Sequence, residues 1–162
     1  MSRILVISPH PDDDAIGCGG TIIRHAMAGD EVRVVVLTSG EGGGHGLPPE
    51  KTRRVREAEA RRAGRILGVE QVEFWRWPDG SVKAGKEQVR ILRALLRAWR
   101  PQRIYAPHAG ETHPDHRAAC RLVRRSVGRT SGIEVLFYEV WSPLSRMDEI
   151  VDITPYLQKK QR

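Results

Sequence analysis

Short apolar runs alternate with longer amphipathic segments along most of this chain of 162 residues. An apolar run bounded by turn signals is typical of a strand that is buried on both faces of a parallel sheet. The segments between the runs space their apolar residues at the period of a helix, which is the usual connection between parallel strands. The sequence therefore predicts an α/β fold of three layers, with a mostly parallel twisted sheet and helices on both faces.

The element boundaries follow from these patterns and from the positions of glycine and proline. The predicted strands cover residues 4–8, 31–38, 71–77, 103–107 and 133–141. The predicted helices cover residues 12–28, 50–67, 87–99 and 113–127. Residues 39–49 hold five glycines and two prolines and are predicted to form a loop, while residues 151–162 are predicted to form a strand that leads into a first helical turn. The length allows a single domain over residues 1–162.

The composition excludes several classes of protein. No apolar run approaches the roughly 20 residues of a membrane span, and the first residues lack a secretory signal, so we expect no membrane association and a cytoplasmic location. The net charge of +7 comes largely from basic residues at helical spacing, without a nucleic-acid-binding motif, so we expect no specific nucleic-acid partner. Cys18 and Cys120 are too few for a disulfide framework and are predicted to be free, buried thiols.

Two short cassettes rich in histidine and aspartate follow two of the predicted strands. The first cassette is Pro9-His10-Pro11-Asp12-Asp13-Asp14, and the second cassette is His113-Pro114-Asp115-His116. In doubly wound sheets, ligands bind beyond the carboxyl ends of the strands, where the strand order reverses. If the strand at residues 103–107 pairs with the strand at residues 4–8, both cassettes face one crevice.

The cassettes contain the ligands of a catalytic zinc site. Such a site has three nitrogen, oxygen or sulfur ligands from the protein and one open position. His10, Asp13 and His116 form that set, and the spacing of His10 and Asp13 allows their side chains to converge on one point. The same two histidines and one carboxylate would also suit Fe²⁺, so the residue types leave the metal open.

Three further residues of the cassettes are candidates for catalysis. Asp12 would lie beside the metal without binding it, as a general base for the attacking water. His113, held by Asp115, would act as an acid or as an electrophile on the developing oxyanion. The alternative for Asp12 or Asp115 taken singly is helix capping, because aspartate is favoured in the first turn of any helix.

The other histidines are given no role in binding the metal. His25 is predicted to lie on the surface of a helix, and His45 is predicted to lie in a loop. His108 is close enough to the crevice to support the ligands from behind.

Further motifs occur in order along the chain between the two cassettes. They are Gly17-Cys18-Gly19-Gly20, Thr38-Ser39-Gly40-Glu41-Gly42, the helical series Arg56, Glu59, Ala63 and Leu67-Gly68, and Pro78-Asp79-Gly80. With the two cassettes, this series resembles the LmbE-like (PIG-L) family of zinc-dependent de-N-acetylases over essentially the whole chain. One departure is Asp14, at which the family usually has glutamate.

The resemblance implies a Rossmann-like fold and hydrolysis of the acetamido group of an N-acetylglucosamine-type sugar or conjugate, which would be the small-molecule partner. It implies the same zinc ligands and the same roles for Asp12 and His113, and it adds Arg56 and Asp79 as residues that contact the substrate. The simpler interpretations are an exposed helix residue for Arg56 and a turn residue for Asp79. Family members usually continue past residue 162, so the family's C-terminal segment is expected to be missing. Family habit and exposed strand edges favour a homo-oligomer.

Two other functions compete with a sugar deacetylase. One is a metal-dependent amidase whose substrate contains no sugar. The other is a non-catalytic module that binds a metal or a nucleotide on a Rossmann-like sheet. Nucleotide binding is disfavoured, because the first cassette stands where a dinucleotide site has Gly-x-Gly-x-x-Gly, and its three aspartates would repel a pyrophosphate.

Overall fold

The computed structural model describes residues 1–44, 46–128 and 132–161 and confirms the α/β fold. Within these ranges, the sheet consists of β1 (Arg3–Ser8), β2 (Glu31–Thr38), β3 (Gln71–Trp77), β4 (Arg103–Pro107) and β5 (Glu134–Tyr138). The longer helices are α1 (Asp13–Met27), α2 (Pro49–Leu67), α3 (Lys86–Trp99) and α4 (Pro114–Ser126). A 3-10 turn (Thr154–Tyr156) and the short helix α5 (Leu157–Lys160) follow β5.

The strand order brings the two cassettes side by side. The order is β3-β2-β1-β4-β5, and every pair of neighbours is parallel. The chain moves outward from β1 through β2 to β3 and then returns to place β4 against the other edge of β1. Ile4 pairs with Arg103 and Val6 with Tyr105, so the condition under which both cassettes face one crevice is met. The order therefore reverses between β1 and β4, where doubly wound sheets bind their ligands.

The two faces of the sheet form two hydrophobic cores. Leu5 and Ile7 of β1 belong to the core that contains residues of α3 and α4. Ile4 and Val6 belong to the opposite core, which contains residues of α1 and α2. Because successive side chains of a strand point to opposite faces, a strand covered on both faces needs a continuous apolar run.

The end of β5 differs from the prediction. The strand ends at residue 138 rather than at residue 141. The backbone N–H groups of residues 140–142 donate to the side chain of Glu111. Glu111, which lies far from these residues in the sequence, therefore accepts the backbone hydrogen bonds that residues 140–142 would have donated in the predicted strand.

The strand predicted at the start of residues 151–162 is wrong. Residues 151–153 adopt no strand conformation, and the chain turns directly into the 3-10 turn. The carboxylate of Asp152 accepts a hydrogen bond of 2.9 Å from the backbone N–H of Thr154. This local bond is typical of aspartate in turns, where it competes with pairing to a neighbouring strand.

Three features of the structure relate to the composition, namely the cysteines, the basic residues of α4 and the apolar character of the helices. Cys18 and Cys120 are free and buried. The basic residues Arg121, Arg124 and Arg125 of α4 are exposed. Among the described residues, no helix has the length and apolar character to cross a bilayer.

Small residues in α1 allow β5 to approach this helix closely. A Cβ atom built on Gly17 would lie 2.3 Å from Cδ2 of Tyr138 and 2.8 Å from the backbone oxygen of Glu139. Tyr138 is buried, and its hydroxyl donates a hydrogen bond of 2.9 Å to the carbonyl oxygen of Ile7, so the ring has no free space to move into. Only glycine fits at residue 17.

Gly17→Ala is therefore expected to lower the free energy of unfolding by about 1–3 kcal/mol, the usual effect of forcing extra volume into a packed core. Gly19→Ala is the matched control in the same helix, because its Cβ would meet the nearest atom at 3.5 Å, an ordinary contact. Removing a glycine from a helix interior should raise stability by about 0.5–1 kcal/mol. Urea unfolding followed by circular dichroism measures both changes, and equal effects of the two substitutions would contradict the packing argument.

Candidate metal centre

Three potential ligand atoms meet at the carboxyl ends of β1 and β4. His10 lies in the turn after β1, Asp13 opens α1, and His116 lies in the first turn of α4. His10 Nδ1 is 2.9 Å from Asp13 Oδ2. His116 Nε2 is 3.1 Å from the same oxygen and 3.3 Å from His10 Nδ1. All three side chains are buried, and His116 is inaccessible to solvent.

The spacing of these atoms fits a tetrahedral zinc ion. With zinc–ligand bonds of about 2.0–2.2 Å, the ligand atoms of a tetrahedral site lie about 3.3 Å apart. The observed separations of 2.9, 3.1 and 3.3 Å between the three atoms are close to that value. The structure thus brings together His10, Asp13 and His116, the set that the sequence predicts.

A carboxylate that the sequence did not predict determines how His116 presents its ring. Glu111 is buried, and its Oε2 lies 3.3 Å from His116 Nδ1. Because a carboxylate accepts hydrogen bonds, a proton on Nδ1 would be donated to Glu111, and Nε2 would then present a lone pair. That lone pair faces His10 Nδ1 and Asp13 Oδ2, where a cation would satisfy all three atoms. Histidines that bind metals commonly donate their second ring nitrogen to a carboxylate in this way.

His10 is oriented by carboxylates from two other loops. Its Nε2 lies 3.2 Å from Asp79 Oδ1 and 3.3 Å from Asp115 Oδ2, so this nitrogen carries a proton and Nδ1 faces Asp13. Burial lowers the pKa of His10, but the hydrogen bonds to Asp115, Asp13 and Asp79 outweigh it and raise the pKa to about 11. The surrounding carboxylates thus favour a positive charge at this point.

Asp13 has an environment that keeps it ionised. Burial raises the pKa of Asp13, but its contacts with His10 and His116 lower the pKa further, to about 2. Its Oδ2 also accepts a hydrogen bond of 2.9 Å from the backbone N–H of His10. The carboxylate is therefore held in place as a charged ligand group before any metal is considered.

Asp115 connects the site to the turn after β3. Its two carboxylate oxygens accept hydrogen bonds of 2.8 Å from the backbone N–H of Gly80 and 3.0 Å from that of Val82. The capping alternative is therefore wrong for Asp115, because its carboxylate serves another loop and His10 rather than its own helix. Asp79 completes the connection, because its Oδ2 accepts a hydrogen bond of 3.0 Å from Gly42 N–H in the loop after β2.

Asp12 lies at the open side of the site beside Arg56. It is the N-cap residue of α1, but its side chain makes no capping hydrogen bond, so the capping alternative fails here as well. Its Oδ1 is 3.2 Å from Arg56 Nη2, and Arg56 Nη1 donates a bond of 3.0 Å to the carbonyl oxygen of Gly40. Gly40 has φ +60, and a Cβ there would lie 2.0 Å from Arg56 Nη1, so only glycine permits this contact. The guanidinium thus fixes the carboxylate of Asp12 against the loop after β2.

His113 faces the candidate ligands His10 and His116 with a defined donor. Its ring centroid lies 4.7 Å from that of His10 and 5.0 Å from that of His116. Its Nδ1 accepts a bond of 3.2 Å from the backbone N–H of Asp115, so the proton of the neutral ring is on Nε2. Burial, together with the charges of His10 and His116, lowers the pKa of His113, which favours this neutral form. Asp115 thus holds His113 through its backbone N–H, while its carboxylate is bound to Gly80 and Val82.

The remaining histidines have different surroundings. His108 Nε2 lies 2.7 Å from the carbonyl oxygen of Ser142 and 3.4 Å from Glu111 Oε1, so it lies behind Glu111, which in turn contacts the candidate ligand His116. The surface assignment of His25 is wrong, because its ring is largely buried and bonds Asp30 at 2.8 Å and the hydroxyl of Tyr105 at 3.0 Å. His45, predicted in a loop, lies outside the described residues.

Comparison with known proteins identifies one family. The family model described as PIG-L, GlcNAc-PI de-N-acetylase, matches residues 5–127 of the chain. A 1D-myo-inositol 2-acetamido-2-deoxy-alpha-D-glucopyranoside deacetylase from Actinosynnema mirum is 32% identical over 170 residues, which cover 86% of this chain and 60% of the relative. The chain spans about 60% of the length of the curated relatives that it matches.

Solved structures share the fold. The N,N'-diacetylchitobiose deacetylase from Pyrococcus horikoshii has a TM-score of 0.85 and 29% identity, and the match covers 99% of this chain and 67% of that one. GalB, the 4-carboxy-2-hydroxymuconate hydratase from Pseudomonas putida KT2440, has a TM-score of 0.80 and 26% identity, with 99% of this chain and 76% of that one covered. The same fold thus carries out hydration as well as deacetylation, so the activity has to be argued from the residues of the site.

Proposed function

The chain belongs to the PIG-L family of GlcNAc-PI de-N-acetylases, and from this premise we propose that it is a zinc-dependent hydrolase that removes the acetyl group from an N-acetylglucosamine-type sugar or conjugate. The observation that carries the proposal is the convergence of His10 Nδ1, Asp13 Oδ2 and His116 Nε2 at the spacing of tetrahedral zinc ligands. Relatives named as deacetylases of an inositol-linked acetamido sugar and of diacetylchitobiose supply the proposed substrate class.

The proposed chemistry assigns the metal a limited part. When bound, zinc would polarise the acetamide carbonyl and make a hydroxide nucleophile available near neutral pH. The carboxylate of Asp12 accepts the proton of the attacking water as the bond from oxygen to the carbonyl carbon forms. The same proton then passes to the sugar nitrogen as the amide C–N bond breaks, which leaves acetate and a free amine.

His113 is proposed to stabilise the negative charge that develops on the carbonyl oxygen. The neutral ring donates from Nε2, because Nδ1 is engaged with the backbone N–H of Asp115. A donor that is fixed before the reaction stabilises the charge without reorganisation in the transition state.

Arg56 and Asp79 are proposed to position other residues of the site. Arg56 holds Asp12 against the carbonyl oxygen of Gly40, and Asp79 accepts from the Nε2 proton of His10. Both residues therefore contact machinery that the reaction needs, and the direct substrate contact expected from the family resemblance stays a prediction beside this role.

Arg56→Lys is expected to lower kcat about tenfold, equivalent to about 1.4 kcal/mol, with metal content unchanged. An ammonium group is a single point of contact and cannot bridge Asp12 and Gly40 as the planar guanidinium does. Arg54→Lys is the matched control, because Arg54 is an exposed residue of the same helix and pairs with Glu50. Steady-state kinetics separate the two roles, since a rise in KM with unchanged kcat would assign Arg56 to the substrate instead.

Metal content and acetate release test the proposed function together. The chain is stripped of metal, reloaded with Zn²⁺ or Fe²⁺ and assayed on N-acetylglucosamine, its inositol conjugate and diacetylchitobiose, with a simple N-acetyl amine for comparison. We expect one zinc per chain by mass spectrometry and acetate release that favours a sugar over the simple amide. A preference for Fe²⁺ would change the metal and leave the assignment of the ligands intact.

The other outcomes correspond to the competing functions. Equal turnover of the sugar and the simple amide would indicate a general amidase. Stoichiometric zinc without release of acetate from any substrate would favour the non-catalytic module. A chain that binds neither metal under any loading condition would refute the proposed centre.

A further inference from the structure

Glu111 is a buried carboxylate that lies outside the predicted metal set, and it makes contacts on two sides. Its Oε2 lies 3.3 Å from His116 Nδ1. Its Oε1 accepts bonds of 2.7 Å from the backbone N–H of Val140 and 3.4 Å from that of Ser142, and Trp141 N–H lies 3.2 Å from each oxygen. The residue is 1% exposed, so water cannot replace these partners.

The geometry excludes Glu111 as a direct ligand of the proposed metal. Its carboxylate lies at Nδ1 of His116, whereas the converging atoms His10 Nδ1 and Asp13 Oδ2 lie at Nε2, on the far side of the same ring. Among the described residues, the groups with metal-ligand spacing include His10 and His116 but not Glu111. Its influence on a metal must therefore pass through the ring of His116.

The tautomer of His116 determines whether the ring can bind a cation. If Nδ1 carries the proton, Nε2 offers a lone pair to the point where the ligand atoms meet. If Nε2 carried the proton, it would donate to Asp13 Oδ2, which is only 3.1 Å away, and a metal would have to displace that bond. A carboxylate faces each ring nitrogen, Glu111 Oε2 at 3.3 Å from Nδ1 and Asp13 Oδ2 at 3.1 Å from Nε2. When a cation takes the lone pair of Nε2, the proton lies on Nδ1, where Glu111 accepts it.

We propose that Glu111 is a positioning residue of the metal centre, which holds His116 in the tautomer that binds metal and connects His116 to the backbone of residues 140–142. The inference rests on the proposed function only in taking His116 as a metal ligand. The same carboxylate serves both sides, so a weakened contact with His116 and a loosened segment after β5 have one origin. Trp141, which is 67% exposed, is thereby held by its backbone N–H at the carboxylate of Glu111.

Glu111→Gln is the most informative substitution, because it preserves the shape and removes one acceptor. A glutamine side chain has a single acceptor oxygen. If that oxygen accepts from His116, the amide NH₂ faces the backbone N–H groups of residues 140–142, and the reverse orientation leaves Nδ1 opposite a donor. Loss of such an outer partner typically weakens metal binding about 10–100-fold.

The experiment measures zinc affinity by competition with a chromophoric chelator, without any substrate. Glu111→Gln is expected to raise the Kd for zinc about 10–100-fold and to speed amide hydrogen exchange at residues 140–142. Glu139→Gln is the matched control, since Glu139 is an exposed carboxylate of the same segment whose contact is with Leu144 N–H. A zinc Kd within about twofold of the parent value, with the amides of residues 140–142 exchanging faster, would overturn the metal-positioning role, because twofold is well below the usual effect of an outer partner.

A spectroscopic measurement on the parent chain keeps the proposal testable if Glu111→Gln does not fold. Two-bond ¹⁵N–¹H correlation spectra distinguish a proton on Nδ1 from one on Nε2 of His116. In the zinc-loaded chain we expect a proton on Nδ1 that exchanges slowly with solvent, and a rapidly exchanging Nδ1 proton would contradict the contact with Glu111. Both readouts are independent of acetate release, so an inactive chain could still confirm the role of Glu111, and an active one could refute it.

Discussion

Replacing His116 with alanine is expected to abolish zinc binding and any acetate release together. The substitution removes one of three converging ligand atoms and leaves His10 Nδ1 and Asp13 Oδ2 as an incomplete pair 2.9 Å apart. The loss should exceed the roughly 10–100-fold effect of removing an outer partner, because a ligand itself is missing. Mass spectrometry of the purified variant, followed by titration with zinc, measures the stoichiometry and the residual affinity.

His25→Ala is the matched control for this substitution. His25 is also a largely buried histidine with two hydrogen-bonding partners, Asp30 and Tyr105, but it lies away from the ligand cluster. We expect the control to lose some stability and to keep one zinc per chain. Unchanged zinc stoichiometry in His116→Ala would refute the ligand assignment.

The removal of a fully buried ring also creates a cavity, so stability has to be separated from metal binding. The parent chain stripped of zinc by a chelator provides the comparison, because it lacks the metal and retains the ring. If His116→Ala and the stripped parent unfold at different temperatures, the difference reports the cavity. Their zinc affinities, compared well below either transition, report the ligand.

The fold could be predicted because its determinants are local. The apolar runs of β1 and β2 are long enough to be buried on both faces, and the intervening helix follows from its own periodicity. The adjacency of β1 and β4 did not follow from any residue pattern within either strand. It entered the sequence analysis only as a condition, suggested by the general rule that ligands bind where the strand order reverses and by two cassettes that share one chemistry.

The ligands could be predicted because each cassette concentrates them in a few residues. His10 and Asp13 belong to one turn. His116 lies 103 positions after Asp13 in the sequence, and the pairing of β1 with β4 brings the two residues together. Asp12 and Asp115 were open to a capping interpretation, because the first turn of a helix favours aspartate in any protein. In the structure, Asp12 makes no capping hydrogen bond and pairs with Arg56 of α2, while the carboxylate of Asp115 accepts from Gly80 in the turn after β3.

The role of Glu111 could not be predicted from the sequence. It stands two positions before the second cassette, in a short loop where an acidic residue is unremarkable. Its partners are backbone N–H groups about thirty residues later. Because every residue except proline has a backbone N–H, the residue types at those positions do not indicate the contact. β5 ends earlier than predicted because Glu111 accepts from the same backbone N–H groups. One unpredicted contact therefore explains both the support of His116 and the shorter strand.

Asp12→Asn is expected to retain zinc and to lower kcat by about 10²–10⁴-fold, the usual contribution of a general base. Asparagine keeps the shape of the side chain and can still accept a hydrogen bond from Arg56, so the surrounding loop should not change. None of the three converging ligand atoms belongs to Asp12, which explains why the metal should stay. Full activity in the variant would remove Asp12 from the role of the base.

A double-substitution cycle with Arg56→Lys tests how the two residues depend on each other. If Arg56 acts by orienting the carboxylate of Asp12, the double variant should be no slower than Asp12→Asn alone, because a base that is absent cannot be misplaced. If Arg56 acts on the substrate, its effect should add in full to that of Asp12→Asn, since independent sites contribute additively. The difference between these outcomes is the tenfold effect of Arg56→Lys itself, about 1.4 kcal/mol, which ordinary kinetics resolve. Additivity would restore the substrate contact of Arg56 and leave Asp12 to be positioned by the turn after β1 alone.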